Sequence, residues 1–183
     1  MAPFLPEQIK GFYGSSVLKD LLLNAHLFDP ELVGNGIRDN YPESLFFETF
    51  EQYPLWLELN YRLLKEISSR YDGDIIAPMT LLKAESYEGI IQRLRDDGLD
   101  VCYVFLDADA ETLRQRMVES GREKPDSWCV RQIPACLKAQ QEDRFAVHVD
   151  TVGKAPVDVA REIVAVGRNT GDGSLCYRSA SRT

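Results

Sequence analysis

Val101-Cys102-Tyr103-Val104-Phe105-Leu106 is the longest of three apolar runs rich in β-branched and aromatic residues. Asp74-Ile75-Ile76-Ala77-Pro78 precedes it, and Val147-His148-Val149-Asp150 follows it. Strands that are covered on both faces have this nearly continuous apolar character, which is typical of parallel sheets in α/β proteins. The three runs are therefore predicted to be parallel strands of one sheet.

Amphipathic helical patterns separate these runs. Tyr87, Ile90, Ile91 and Leu94 lie on one helical face, and Gly98 follows as a stop signal. Three more helical faces are formed by Trp56, Leu59, Leu63 and Ile67, by Leu113 and Met117 after a cap at Asp109, and by Val159, Ile163 and Val166. Pro134 is expected to kink or divide the helix that contains it. The alternation of strand and helix predicts an α/β fold with a mainly parallel sheet.

Length and composition are those of one globular domain. The chain has 183 residues, of which 44% are hydrophobic and 27% charged, enough apolar material for a sizeable core. Its end is rich in Gly, Ser and Arg without periodicity. We predict a domain over residues 1–167 and a flexible tail over residues 168–183.

The charge balance narrows the choice of partner. A net charge of −8 repels a nucleic-acid backbone, so no nucleic-acid partner is expected, whereas a phosphorylated small molecule needs only a few local cations. Four cysteines without zinc-site spacing predict reduced thiols and no metal centre. The chain shows no targeting segment and no long apolar run, so we expect a cytoplasmic protein without a membrane span.

A glycine-containing segment stands near the N-terminus. Ile9-Lys10-Gly11-Phe12-Tyr13-Gly14-Ser15-Ser16 runs directly into a stretch with helical spacing. A strand, a glycine turn and a helix would gather backbone N–H groups at the positive end of the helix dipole, which favours anions. The alternative interpretation is a plain strand-to-helix turn.

Several further motifs fall in an order and spacing that resemble one family. They are Ala25-His26-Leu27-Phe28-Asp29-Pro30-Glu31, Tyr53-Pro54-Leu55-Trp56, Ile76-Ala77-Pro78-Met79-Thr80, Leu113-Arg114-Gln115-Arg116, Ser127-Trp128 with Ile133 and Cys136, and His148-Val149-Asp150-Thr151. Together they resemble the tunicamycin-resistance proteins, which are similar to shikimate and gluconate kinases. The resemblance covers roughly residues 9–166. It implies a three-layer P-loop kinase-like fold, a small mobile lid at about residues 121–127, and a site for ATP and Mg²⁺.

The phosphate loop departs from the family's G-x-x-G-x-G-K-[ST] pattern. Gly11 and Gly14 match its first two glycines, and Ser15 and Ser16 continue the candidate loop, but Val17 and Leu18 follow. The loop lysine neutralises charge on the β- and γ-phosphates, and the Ser/Thr hydroxyl anchors the metal. Both ATP and Mg²⁺ are therefore cofactors that the resemblance implies and this loop puts in doubt.

The acceptor side has its own candidates. Asp29 follows an apolar strand-like run, where related kinases place an acid against the acceptor, and it also suits the cap of a helix near Glu31. Arg38 could pair with a substrate phosphate or with Glu31 on its own helix; an ordinary surface arginine is the favoured alternative. Thr80 closes a strand, where ligands of α/β sheets bind.

Four other residues complete the candidate site. Tyr53 and Trp56 would form an apolar wall for the acceptor, or belong to the core. The resemblance implies that Arg116 lies against an adenine ring and that Arg122 is a lid cation acting on the transferred phosphate. Solvated surface arginines are the alternative for both.

Two functions follow from these residues. The first is an ATP-dependent phosphotransferase acting on a small molecule, of the tunicamycin-resistance type and impaired by its loop. The second is a non-catalytic protein on the same fold that binds or sequesters its ligand. Fold alone does not decide between them.

Overall fold

The computed structural model describes residues 12–119, 128–142 and 147–169, which form an α/β fold with short parallel strands. The helices are α1 (Phe12–Leu21), α2 (Pro30–Asn40), α3 (Pro54–Arg70), α4 (Ala84–Tyr87), α5 (Arg93–Asp96), α6 (Ala110–Glu119), α7 (Trp128–Arg131), α8 (Ile133–Ala139) and α9 (Pro156–Asn169). The strands are β1 (Ala25–Leu27), β2 (Asp74–Ile76), β3 (Val104–Asp107) and β4 (Val147–Asp150). A π-helical turn, Glu88–Gln92, joins α4 to α5, and 3₁₀ turns occupy Glu43–Leu45 and Phe50–Gln52.

The strands form two parallel pairs. β1 pairs with β2 through Ala25 opposite Asp74, and β3 pairs with β4 through Val104 opposite Val147. The predicted strands are present in parallel pairs, although β2 ends at Ile76 and β3 begins only at Val104. The prediction of one sheet is wrong for the described residues, where no ladder joins the two pairs. An apolar run indicates a strand and its buried faces, whereas hydrogen-bonding neighbours depend on how the helices bring the strands together.

A shared apolar cluster nevertheless connects the two pairs. Ile76 of β2 and Val149 of β4 are buried in the same cluster as Leu18 of α1 and Ile163 of α9. A second cluster lies between α3 and the helical segment from α4 to α5, with Trp56, Leu64 and Ile90 among its members. The cleft described below lies at the edge of this second cluster.

The buried face of α3 overlaps the predicted one in part. Trp56 is buried and Leu59 and Ile67 pack against the core as predicted, but the other fully buried residues are Asn60 and Leu64, and Leu63 is 39% exposed. Asn60 is tolerated in this stripe because its side-chain Nδ2 donates to the Trp56 carbonyl oxygen at 2.8 Å. The predicted face was chosen from apolar residues alone, so the polar Asn60 was not counted in it. The observed buried face is therefore rotated by about one residue relative to the predicted one.

The other helix predictions are confirmed. Asp109 Oδ1 accepts the Thr112 N–H at 2.7 Å and caps α6, while Gly98 ends α5 at a φ of +80°. Pro134 lies in the first turn of α8, which is separated from α7 by a turn at Gln132. The lid at residues 121–127, Gly11 and the chain beyond residue 169 lie outside the described residues. Helix α9 continues to Asn169, past the predicted tail boundary.

None of the helices in the described ranges combines the length and the apolar character needed to cross a membrane.

Candidate functional site

A cleft opens beyond the carboxyl end of β2, the position at which open α/β sheets bind ligands. Its cavity volume is about 60 Å³, room for one small polar group such as a phosphate. The walls come from α2, the 3₁₀ turn before α3, the start of α3 and the segment after β2. The lining residues are Pro30, Glu31, Arg38, Glu48, Thr49, Phe50, Glu51, Trp56, Pro78, Met79, Thr80, Leu82 and Gln132.

Arg38 is the cationic residue among the described lining residues, and it is buried, with 9% exposure. Its Nη2 donates to the carbonyl oxygens of Phe47 at 3.0 Å and Glu48 at 3.4 Å. Its Nε is buried and has no hydrogen-bond partner in the described structure. The expectations of a surface arginine, and of an ion pair with Glu31, are both wrong.

Thr80 supplies a second buried polar atom at this cleft. Its Oγ1 is buried and has no hydrogen-bond partner among the described residues. A buried hydroxyl without a partner costs about 1–3 kcal/mol, so groups of this kind are normally satisfied by protein, water or a ligand. The sequence prediction that Thr80 faces a ligand gains support from its place in the cleft, and contact with substrate stays a prediction.

Phe50 forms an aromatic wall that the sequence analysis did not identify. The Arg38 guanidinium carbon lies 4.5 Å from the centroid of the Phe50 ring, within the range of a cation–π contact. The ring also packs against α2 at Gly34, where an added Cβ would come within 2.5 Å of the ring carbons. Because Gly34 has no side chain, the Phe50 ring can lie in contact with both α2 and the Arg38 guanidinium.

Trp56 combines the two alternatives considered from the sequence. It is 3% exposed and belongs to the core, yet it lines the cleft, and its Nε1 donates to the Pro30 carbonyl oxygen at 2.9 Å. Tyr53 is 1% exposed, does not line the cleft, and accepts the Phe47 N–H through its hydroxyl at 2.9 Å. The wall that was predicted from Tyr53 and Trp56 is formed instead by Phe50 and Trp56.

Glu51 is a carboxylate that joins two walls of the cleft. Its Oε1 accepts the N–H groups of Leu82 at 2.8 Å and Lys83 at 3.4 Å, across from its own 3₁₀ turn. Burial raises the pKa of this carboxyl, and hydrogen bonds from Ser86, Lys83 and Leu82 oppose the rise. Periodicity could not have identified Glu51, because its burial depends on the chain 31 residues away.

Asp29 caps helix α2 at the edge of the cleft. Its Oδ1 accepts the Glu31 N–H at 2.9 Å, and Pro30 occupies the first helical turn. Of the two interpretations that the sequence left open, the capping role is confirmed. A second role, on an acceptor hydroxyl, stays a prediction, since Asp29 adjoins the lining residue Pro30.

The candidate phosphate loop does not have the expected shape. Helix α1 begins at Phe12, so Gly14, Ser15 and Ser16 are helical rather than part of a glycine turn. In a regular helix the N–H of Ser16 is directed to the carbonyl of Phe12 and not to a ligand. Ser15 is 3% exposed. Phosphate binding by these residues stays a prediction, because they belong to a helix and not to the expected glycine loop.

Val17 and Leu18 pack in the apolar core. Leu18 is 6% exposed and packs with Val159 and Ile163 of α9, and Val17 packs against the same cluster. These are the positions at which the P-loop pattern has its lysine and its metal-anchoring hydroxyl. The described residues therefore do not fit the phosphates of ATP or Mg²⁺ here, and no group of three His, Cys, Asp or Glu among them could hold a metal.

Arg116 lies apart from the cleft, at the carboxyl ends of β3 and β4. Its Nη1 donates to Thr151 Oγ1 at 2.9 Å and its Nη2 to the Thr151 carbonyl oxygen at 2.6 Å. Thr151 in turn donates through Oγ1 to the Asp107 carbonyl oxygen at 2.8 Å. This is no solvated arginine, and its predicted contact with adenine stays a prediction. Arg122 lies outside the described residues.

The structure thus brings Arg38, Trp56 and Thr80 together, with Asp29 beside them. No protein-family model and no curated protein sequence matches the chain. Among solved structures, the tunicamycin resistance protein of Deinococcus radiodurans superposes with a TM-score of 0.70 and 23% sequence identity. The match covers 84% of this chain and 88% of that protein. The chain therefore shares the fold of a tunicamycin resistance protein.

Proposed function

We propose that this protein binds a small molecule in the cleft at Arg38 and Thr80, and that it is of the tunicamycin-resistance type. The observation that carries the proposal is the pair of buried polar atoms, Arg38 Nε and Thr80 Oγ1, that line one cleft without hydrogen-bond partners in the described structure. The described residues do not offset the cost of removing these two atoms from water. A ligand that hydrogen-bonds to them would offset it.

The shared fold supports the same proposal. A tunicamycin resistance protein is matched over most of both chains, and we infer a three-layer P-loop kinase-like arrangement from the family that the sequence resembles. Fold similarity alone does not establish activity, so the proposed function is based on the residues of the cleft. Its apolar wall of Phe50 and Trp56 beside a few polar atoms is the usual composition of a small-molecule site.

Phosphoryl transfer is proposed to be impaired. The position of the loop lysine is held by Val17 and that of the metal-anchoring hydroxyl by Leu18, both packed against α9. Positioning and charge neutralisation supply nearly all of the catalysis in phosphoryl transfer. ATP and Mg²⁺ are therefore expected to bind weakly, and the protein to act mainly by binding its ligand.

Thermal melting of the purified protein tests this function. We expect tunicamycin to raise the melting temperature, because a ligand at 100 times its dissociation constant stabilises the native state by about 2.7 kcal/mol. Mg-ATP should give a much smaller shift. As a matched control, Thr112→Val changes a threonine on α6 and should keep the full tunicamycin shift, whereas Thr80→Val should reduce it.

An assay of γ-phosphate transfer to tunicamycin completes the test. Working kinases turn over at about 1–100 s⁻¹, and we expect a far lower rate here. A rate in the working range would overturn the proposed impairment and establish a phosphotransferase, with Asp29 beside the cleft as its acid–base candidate. Absence of a tunicamycin shift at saturating concentrations would reject the tunicamycin-resistance type.

A further inference from the structure

The guanidinium of Arg38 is a buried charge that forms no salt bridge with the described residues. It is 9% exposed, it bonds only to backbone carbonyl oxygens through Nη2, and no carboxylate of the described residues forms an ion pair with it. Buried charges in proteins are normally paired, because an isolated one loses its hydration without compensation. Aromatic contact with Phe50 offsets only part of that loss.

We propose that Arg38 and Thr80 together form a site for one oxyanion group, a phosphate or a carboxylate. The inference goes beyond the proposed function, because tunicamycin carries neither group and the anion is therefore a second ligand of the same cleft. Arg38 Nε can only donate, and Thr80 Oγ1 can donate as well. An oxyanion offers several lone pairs to such donors and supplies the missing counter-charge.

The protein fixes the guanidinium before any ligand arrives. Its Nη2 donates to the carbonyl oxygens of Phe47 and Glu48, and its central carbon lies 4.5 Å from the centroid of the Phe50 ring. The Phe50 ring can lie there only because Gly34 has no side chain, since a Cβ would come within 2.5 Å of it. Gly34 is thus a positioning residue, which acts on the ligand through Phe50 and Arg38.

The charges around the cleft limit the size of the anion. Glu31, Glu48 and Glu51 also line it, against one arginine among the described residues. A single phosphate or carboxylate next to Arg38 is compatible with this arrangement, whereas a triphosphate would bring several negative charges toward three carboxylates. The cavity volume of about 60 Å³ also matches one such group.

Inorganic phosphate and acetate are the probes for this site. At constant ionic strength maintained with sodium chloride, we expect phosphate to raise the melting temperature of the wild-type protein in a saturable way, and tripolyphosphate to do so less. Acetate separates a carboxylate site from a phosphate site: a saturable shift with either anion supports the proposal. No saturable shift with either would overturn it.

Two substitutions assign the effect to named atoms. Arg38→Met should weaken phosphate binding by at least about tenfold, since hydrogen bonds to charged groups have this magnitude. Thr80→Val removes a hydroxyl that has no partner, so the unliganded variant should melt at or above the wild-type temperature while phosphate binds about fivefold more weakly. If Arg38→Met does not fold, Thr80→Val still decides; unchanged phosphate affinity in Thr80→Val would overturn the proposal.

The glycines of α2 provide a matched pair. Gly34→Ala should displace Phe50 and reduce phosphate affinity, whereas Gly36→Ala, with nothing within 4 Å of its added Cβ, should leave the affinity unchanged. Truncation of the ring in Gly34→Ala/Phe50→Leu should restore stability but not phosphate affinity, because Arg38 loses its support. Equal phosphate affinity in the Gly34→Ala and Gly36→Ala variants would contradict the positioning role.

The outcomes separate this inference from the proposed function. Tunicamycin binding without any phosphate or acetate effect would leave the proposed function standing and reject the oxyanion site. Phosphate binding that depends on Arg38 and Thr80, without tunicamycin binding, would support the oxyanion site and reject the tunicamycin-resistance type.

Discussion

Burial raises the pKa of the Glu51 carboxyl above its usual value of 4.5. The folded protein therefore holds this proton more tightly than the unfolded chain does. By linkage, the contribution of Glu51 to stability is fully present below pH 4.5 and is lost as the pH rises through the raised pKa. We expect Glu51→Gln to remove this loss, so that the variant gains stability relative to wild type as the pH rises from 4.5 through the raised pKa. Urea unfolding at several pH values measures the difference.

Glu58 serves as a control of opposite sign. Hydrogen bonds from Arg93 and Arg62 lower the pKa of its carboxyl, so its contribution is present above pH 4.5 and is lost as the pH falls through the lowered pKa. Glu58→Gln should therefore lose stability relative to wild type as the pH rises toward 4.5, with little further change at the higher pH values over which Glu51→Gln gains stability. The same pH trend in both variants would be evidence against the burial of Glu51.

Substitutions of Asp29 can separate its role as the cap of α2 from its predicted contact with a ligand. Asp29→Ala removes the acceptor of the Glu31 N–H and should lower the free energy of unfolding by about 1 kcal/mol. Asp29→Asn keeps an oxygen acceptor and should stay within about 0.5 kcal/mol of wild type. Chemical denaturation measures both variants. If Asp29→Asn is fully stable but loses tunicamycin binding, Asp29 contacts the ligand as well as capping the helix.

At the scale of elements, Arg116 connects α6 to the chain that follows β4. Its guanidinium makes two hydrogen bonds to Thr151, which is itself 5% exposed. We expect Arg116→Met to lower the free energy of unfolding by about 1–3 kcal/mol, because it removes the donors for buried Thr151 atoms. Residual Mg-ATP binding should weaken as well. Both effects are measured by thermal melting with and without Mg-ATP.

Arg114 is the matched control on the same helix. Its side chain is about half exposed and pairs with Glu111 one turn away at 3.4 Å. Arg114→Met should change stability by no more than about 0.5 kcal/mol, as is usual for exposed ion pairs. Equal stability loss in the Arg116 and Arg114 variants would mean that the Thr151 contact has no structural role.

At the scale of the molecule, the two strand pairs depend on one apolar cluster. Ile163 of α9 packs in the cluster that contains Ile76 and Val149, one from each pair. Ile163→Ala should lower the free energy of unfolding by about 2–5 kcal/mol and speed hydrogen exchange in both pairs. Val118→Ala, at a 40% exposed position, should stay within about 0.5 kcal/mol of wild type. Faster exchange confined to one pair would show that the pairs do not share a core.

Some residues of the candidate site could be identified from local sequence patterns, whereas others depend on tertiary contacts. Asp29, Trp56 and Thr80 could be proposed from the sequence, because a cap, an aromatic and a strand end each leave a local signal. Phe50, Gly34 and Glu51 left none, since their roles arise from contacts between α2, the turn before α3 and the chain after β2.

By itself, the sequence determined the α/β class, the strand-forming segments and a few helix ends, because apolar periodicity, Gly98, Asp109 and Pro134 act locally. Tertiary structure alone decided three matters. It split the strands into two pairs, since ladder partners are set by packing over long chain separations. It placed Leu18 in the core, where the family pattern has a metal-anchoring hydroxyl. Finally, it buried Arg38 without a salt bridge to any described residue, because the charge of a side chain is visible in the sequence but its solvation is not.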